Sequence, residues 1–116
     1  MTAAEMMDEK EPFERITPEQ AKGMLESGDF QLIDVREPAE WAQGHLPGAR
    51  HVPLNTLIAK AQEVLDRDNV IFVCAEGIRS AVACEVAAAV GRSKLFNLEG
   101  GTNGWAGMGF PIERDA

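Results

Sequence analysis

Val70-Ile71-Phe72-Val73-Cys74-Ala75-Glu76-Gly77-Ile78-Arg79-Ser80 passes from four consecutive apolar residues into a thiol, a glycine and an arginine. An alanine-rich stretch follows, to Val90. Four apolar residues without alternation read as a central parallel strand covered on both faces. The small side chains after Ser80 read as a helix that approaches a sheet closely. Strand, tight loop and helix in this order make an α/β unit, and ligands in such folds gather beyond the carboxyl ends of the strands. Cys74 falls there.

The rest of the chain repeats the alternation. Phe13-Glu14-Arg15-Ile16 suggests a short edge strand. Thr17-Pro18-Glu19-Gln20 has the cap, first-turn proline and N3 glutamine of a helix start, and Ala21, Met24 and Leu25 give that helix one apolar face. Phe30 to Arg36 reads as a buried strand that turns polar at its end, and Glu37 to Trp41 as a short helix. Gly44 to Ala49 is turn-rich, and Arg50 to Pro53 suggests a very short strand. Leu54, Leu57, Ile58, Ala61 and Leu65 form a stripe that predicts one helix over 54–65, with Glu63 and Arg67 spaced as a helical ion pair. After a turn at Asp68-Asn69 comes the central strand. Leu95 to Leu98 predicts another strand, and Gly100 to Trp105 a loop leading into a helical turn. The alternation predicts one α/β domain over 12–116 with a largely parallel sheet, behind a flexible acidic tail over 1–11.

Composition narrows the function. In 116 residues, 45% are hydrophobic, enough for one core. The net charge of −8 argues against nucleic acid and acidic lipid as partners. Cys74 and Cys84, ten residues apart, make neither a disulfide scaffold nor a zinc site with His45 and His51. Few cysteines fit a reducing compartment, and the first eleven residues lack the apolar core of a secretory signal, so a cytoplasmic location is expected.

The loop 74–80 carries the chemistry. A helix N-terminus and curled backbone amides favour an anion at its centre, and they lower a thiol from its ordinary ~8.5. Gly77 permits the turn, and Arg79 offers a permanent charge and a planar fork for an oxyanion. Against this stands a simple alternative, in which Cys74 is a buried small hydrophobe. Its place at a strand end, ahead of Gly and Arg, favours reactivity. Cys84, on a stripe with Ala81 and Ala88, reads as core.

Four stretches resemble one family, the single-domain rhodaneses. Cys74 to Ser80 resembles the family's C-x-x-G-x-R-S loop. Asp34-Val35-Arg36-Glu37 resembles its D-V-R-E stretch. Gly44 to Ala49 resembles G-H-I-P-G-A, and Leu98-Glu99-Gly100-Gly101 with Trp105 resembles L-x-G-G-x-x-x-W. The resemblance covers about Phe13 to Ile112. It implies a five-stranded, mainly parallel sheet flanked by helices on both faces. It also implies a sulfurtransferase without metal or organic cofactor. Cys74 would take a sulfane sulfur from a small sulfur-containing anion such as thiosulfate, or from a persulfide. It would pass that sulfur to cyanide or a thiol, and a protein could stand on either side. Ala75, Glu76, Gly77, Ile78, Arg79 and Ser80 would hold the anion, with Arg79 either binding the donor's sulfonate or steadying the loop. Asp34, Arg36 and His45 would support the loops around it, and His51 receives no role. Glu76 departs from the small or neutral residue common there; a carboxylate turned inward would repel thiosulfate.

Two rivals stay open. Phosphatases and arsenate reductases use C-x5-R loops, one residue longer than the spacing of Cys74 and Arg79. A non-catalytic or sulfur-relay binding module of the same fold is the other.

Overall fold

The computed structural model describes residues 11–115. The expected tail 1–11 therefore lies, except for Glu11, outside the described residues. Five strands, β1 (Glu14–Ile16), β2 (Gln31–Asp34), β3 (Arg50–His51), β4 (Val70–Val73) and β5 (Leu95–Leu98), form one sheet in the order β1-β5-β4-β2-β3. Every pairing is parallel. The helices are α1 (Pro18–Glu26), α2 (Pro38–Ala42), α3 (Leu54–Ala59), α4 (Ala61–Val64), α5 (Ile78–Ala89) and α6 (Gly101–Gly107). Among the described residues no helix is long and apolar enough to cross a membrane.

The central strand explains the layering. Side chains alternate across a strand, so four apolar residues in succession must supply two cores. Val70 and Phe72 join Leu57, Ala83, Cys84 and Ala87 on one face. Ile71 and Val73 join Ala21, Leu46, Leu98 and Trp105 on the other. Helices α3 to α5 cover the first face, and α1 and α6 the second. At the carboxyl end, Asp34 pairs with Val73, and Phe72 with Asn97. Cys74 thus leaves the sheet between a buried aspartate and a buried asparagine.

The start of α1 is as its sequence suggests. The Thr17 side chain accepts from Gln20 N at 3.2 Å, and Gln20 Oε1 accepts from Thr17 N at 2.9 Å. Three boundaries differ from expectation. The helix over 54–65 is two helices, because at Lys60 the backbone leaves helical geometry (φ −126°, ψ 30°). Leu57, Ala61 and Leu65 are buried, but Ile58 is half exposed. Apolar spacing reports which residues point inward, not whether the backbone ladder between them is unbroken. Since α4 ends at Val64, Arg67 lies beyond it and donates to Gln31 Oε1 at 3.5 Å instead of meeting Glu63. Helix α5 begins at Ile78, two residues earlier than expected, and 101–107 is a full helix.

Candidate active site

The loop that leaves β4 is shaped by a left-handed residue at its centre. Gly77 has φ 104° and stands directly before α5. A side chain is disfavoured in that conformation. The turn points the Gly77 amide at Cys74 Sγ, 3.1 Å away. Ser80 Oγ, from the first turn of α5, lies 3.3 Å from the same sulfur. Burial pushes the Cys74 thiol up. Hydrogen bonding at Ser80 and from the Gly77 and Glu76 amides pulls it down, and the net direction is below the ordinary thiol value. Cys74 is 1% exposed, yet its sulfur is surrounded by polar groups. Cys84 is equally buried among apolar side chains, and burial pushes its thiol up.

The loop rests on a second segment. Thr102 donates to the Cys74 carbonyl from its amide at 2.8 Å and from its hydroxyl at 3.1 Å, and the Asn103 amide donates to the Ala75 carbonyl at 3.0 Å. These are orphan donors at the N-terminus of α6, satisfied by the loop. The approach is close enough to require Gly101. A Cβ there would stand 2.4 Å from the Cys74 carbonyl oxygen and 2.5 Å from the Ala75 carbonyl. Gly101 thus serves a backbone contact. Trp105 anchors the helix, buried against Phe110 and donating to the Pro111 carbonyl at 2.7 Å.

Of the expected loop residues, Gly77 donates its amide to the sulfur, and the Glu76 and Ser80 amides also pull the thiol down. The Glu76 residue itself is exposed, which places its carboxylate on the rim and not in the cradle. Ile78 is 75% exposed beside it. Arg79 does not present a free fork. Its two terminal nitrogens bond both oxygens of Glu40 in α2, at 2.7 and 2.8 Å. The Arg79 guanidinium, working against partial burial, holds the Glu40 carboxyl down at about 2.

Asp34 and Arg36 form a buried bidentate pair at the end of β2. Arg36 also donates to the Gly44 carbonyl at 2.7 Å and to the Glu40 carbonyl at 3.3 Å, so one guanidinium joins β2, α2 and the following loop. His45 is buried, with Nδ1 3.1 Å from the Leu46 carbonyl and Nε2 3.1 Å from Asp115. Its ring stacks on Trp41 at 3.6 Å. His51, which had no expected role, bonds the Arg36 carbonyl at 2.8 Å and stacks on Trp41 from 4.7 Å.

Sequence reasoning missed Glu40 and Asn97. Asn97 is fully buried in β5 and bonds both Ser80 and the Gly77 carbonyl. A signal existed, since an amide inside the apolar run Leu95-Phe96-Asn97-Leu98 must find partners. Glu40 had no comparable signal, because its spacing from Glu37 explains it as a cap.

The assembly is a sulfur at a strand end, ringed by donors, with its arginine neutralised. Residues 17–108 match the family model for the rhodanese-like domain. A sulfurtransferase of Allochromatium vinosum is 39% identical over 90 residues, covering 77% of this chain and 83% of that protein. The thiosulfate sulfurtransferase GlpE of Pseudomonas aeruginosa is 36% identical over 94 residues, covering 80% and 84%. The crystal structure of a rhodanese-like domain protein from Staphylococcus aureus superposes with a TM-score of 0.74 at 32% identity, covering 89% of this chain and 99% of the other.

Proposed function

The chain belongs to the rhodanese-like domain family, and from that premise we propose that it is a sulfurtransferase working through a Cys74 persulfide. The thiolate attacks the outer sulfur of the donor. A bond forms between Cys74 Sγ and that sulfur as the donor's sulfur–sulfur bond breaks. The departing group, sulfite from thiosulfate or a thiolate from a persulfide, leaves with the electron pair. An acceptor such as cyanide or a thiolate then attacks the outer sulfur, and the electron pair returns to Sγ. The single observation that carries this reading is the Gly77 amide aimed at Sγ from 3.1 Å, at the carboxyl end of the central strand.

Engagement of Arg79 by Glu40, with Glu76 on the rim, supports a persulfide over a doubly charged anion as the preferred donor. A phosphatase would need a free guanidinium for a tetrahedral phosphoryl group, and the loop is one residue short for it. The protein is incubated with thiosulfate or a low-molecular-weight persulfide, and its intact mass is measured. A gain of one sulfur atom, abolished by Cys74→Ser and kept by Cys84→Ser, is expected. Release of phosphate from an aryl phosphate, without thiocyanate formation from cyanide, would overturn the proposal.

A further inference from the structure

Ser80 and Asn97 are both fully buried, and both stand within one hydrogen bond of the sulfur's surroundings. Ser80 Oγ touches two groups, Cys74 Sγ at 3.3 Å and Asn97 Oδ1. A hydroxyl carries a single proton, so it can donate to only one of them. The orientation of Asn97 decides which. Its Nδ2 bonds the Gly77 carbonyl at 3.0 Å and the Glu99 carboxylate, and neither has a proton to give. The amide nitrogen must face these two acceptors, and Oδ1 must face Ser80. Because Oδ1 only accepts, the Ser80 proton lies on the Asn97 side. What Ser80 offers the sulfur is a lone pair, which accepts from S–H and opposes S⁻.

We propose that Asn97 is a positioning residue that holds the Ser80 hydroxyl proton away from Cys74, so that this hydroxyl favours the resting thiol. Ionisation releases the thiol proton to solvent, and the Ser80 hydroxyl stays turned to Asn97 Oδ1, so the thiolate meets the Ser80 lone pair and not its proton. The Gly77, Glu76 and Ser80 amides favour the thiolate throughout. The site therefore holds two opposed influences, one from the backbone amides and one from a side chain. Glu99 fixes Asn97 from outside and is itself held by Arg15 at 3.2 Å.

The other charged groups around the sulfur are common to every variant compared below. Arg79, paired with Glu40, and the exposed Glu76 lie on its own loop and on α2, together with Glu37. The Asp34–Arg36 pair ends β2, with His51 beside it on β3. Helix α6 has no ionisable side chain.

The sign of one shift tests the proposal. The rate of Cys74 alkylation by iodoacetamide is measured against pH, read from the mass of the Cys74 peptide so that Cys84 does not contribute. In Ser80→Ala the thiol loses its acceptor, so its apparent pKa falls, and alkylation below the wild-type midpoint becomes at least about twofold faster. An unchanged or raised pKa in that variant would overturn the proposal, because a hydroxyl already donating to the thiolate gives the opposite sign. The wild-type protein provides a second measurement that needs no folded variant. Its infrared S–H band at about pH 6, identified by its loss in Cys74→Ser, is expected below the frequency of a free thiol. A band at the free frequency, or none, would also overturn it. The proton assignment stands independently of the proposed sulfur transfer. Failure of persulfide formation would sink that function and leave the proton assignment to stand or fall on the pKa.

Discussion

Gly101→Ala is the substitution that most sharply separates backbone geometry from ordinary glycine freedom. Gly101 has φ +57°, where an alanine is disfavoured by ~1–2 kcal/mol. In addition, its new Cβ would overlap the Cys74 and Ala75 carbonyls at 2.4 and 2.5 Å. Both partners are backbone, so relief means moving the loop or the helix, at a cost of ~1–3 kcal/mol. Such a shift strains the Thr102 and Asn103 amide bonds to the same carbonyls, each worth ~1 kcal/mol. The expected loss is therefore ~3–6 kcal/mol, a large share of a domain's ~5–15 kcal/mol. Gly28→Ala is the matched control. It has φ +81° with nothing within 4 Å of the added methyl, so it should lose only the conformational part, ~1 kcal/mol. Urea unfolding followed by circular dichroism gives both values, and persulfide formation is measured under conditions where each variant is folded. Gly101→Ala should be slowed there as well, since the displaced carbonyls belong to Cys74 and Ala75, while Gly28→Ala should react as wild type. Equal destabilisation by the two alanines would refute the claim that close backbone contact dictates this glycine.

Two other substitutions probe the charges around the loop. Glu40→Gln frees Arg79, and the KM for thiosulfate should fall about two- to fivefold, the scale of one partly exposed ion pair; an unchanged KM would mean that Arg79 does not meet the donor. The same carboxyl has its pKa depressed from 4.5 to about 2, so its contribution to stability is present above 4.5 and is lost as pH falls through about 2. Urea midpoints between those pH values should therefore drop more steeply for the wild type than for Glu40→Gln, and parallel slopes would remove the pair from the stability account. Asp34→Asn leaves the Arg36 guanidinium buried without its counter-ion and should cost ~3–5 kcal/mol by urea unfolding; a loss under about 1 kcal/mol would show that the Gly44 and Glu40 carbonyls suffice.

The sheet was legible because its strands obey simple rules. Val70 to Val73 has no polar residue to alternate with, and it is buried on both sides. The cap at Thr17 is local, and local chemistry reads directly from sequence. The division at Lys60 was not legible, because nothing in the residues there marks a break. The thiol loop was half legible. Cys74 and Gly77 stood out by type and order. For Arg79 both an oxyanion contact and a loop-steadying role were expected, since sequence displays a charge without displaying what neutralises it. Its partner comes from a helix 39 residues earlier, and the proton of Ser80 is governed from a strand 17 residues later. Contacts of that range depend on topology, and the sequence shows at most, as at Asn97, that a partner is needed.

The order of the chain adds a constraint on when the thiol can acquire its chemistry. Cys74 and its loop emerge during synthesis well before Asn97, Thr102 and Asn103, which fix the loop's carbonyls and its serine. A nascent chain ending short of β5 has the cysteine but none of those braces. Competence therefore arrives late in translation, once the last strand has been made and can dock beside the central one.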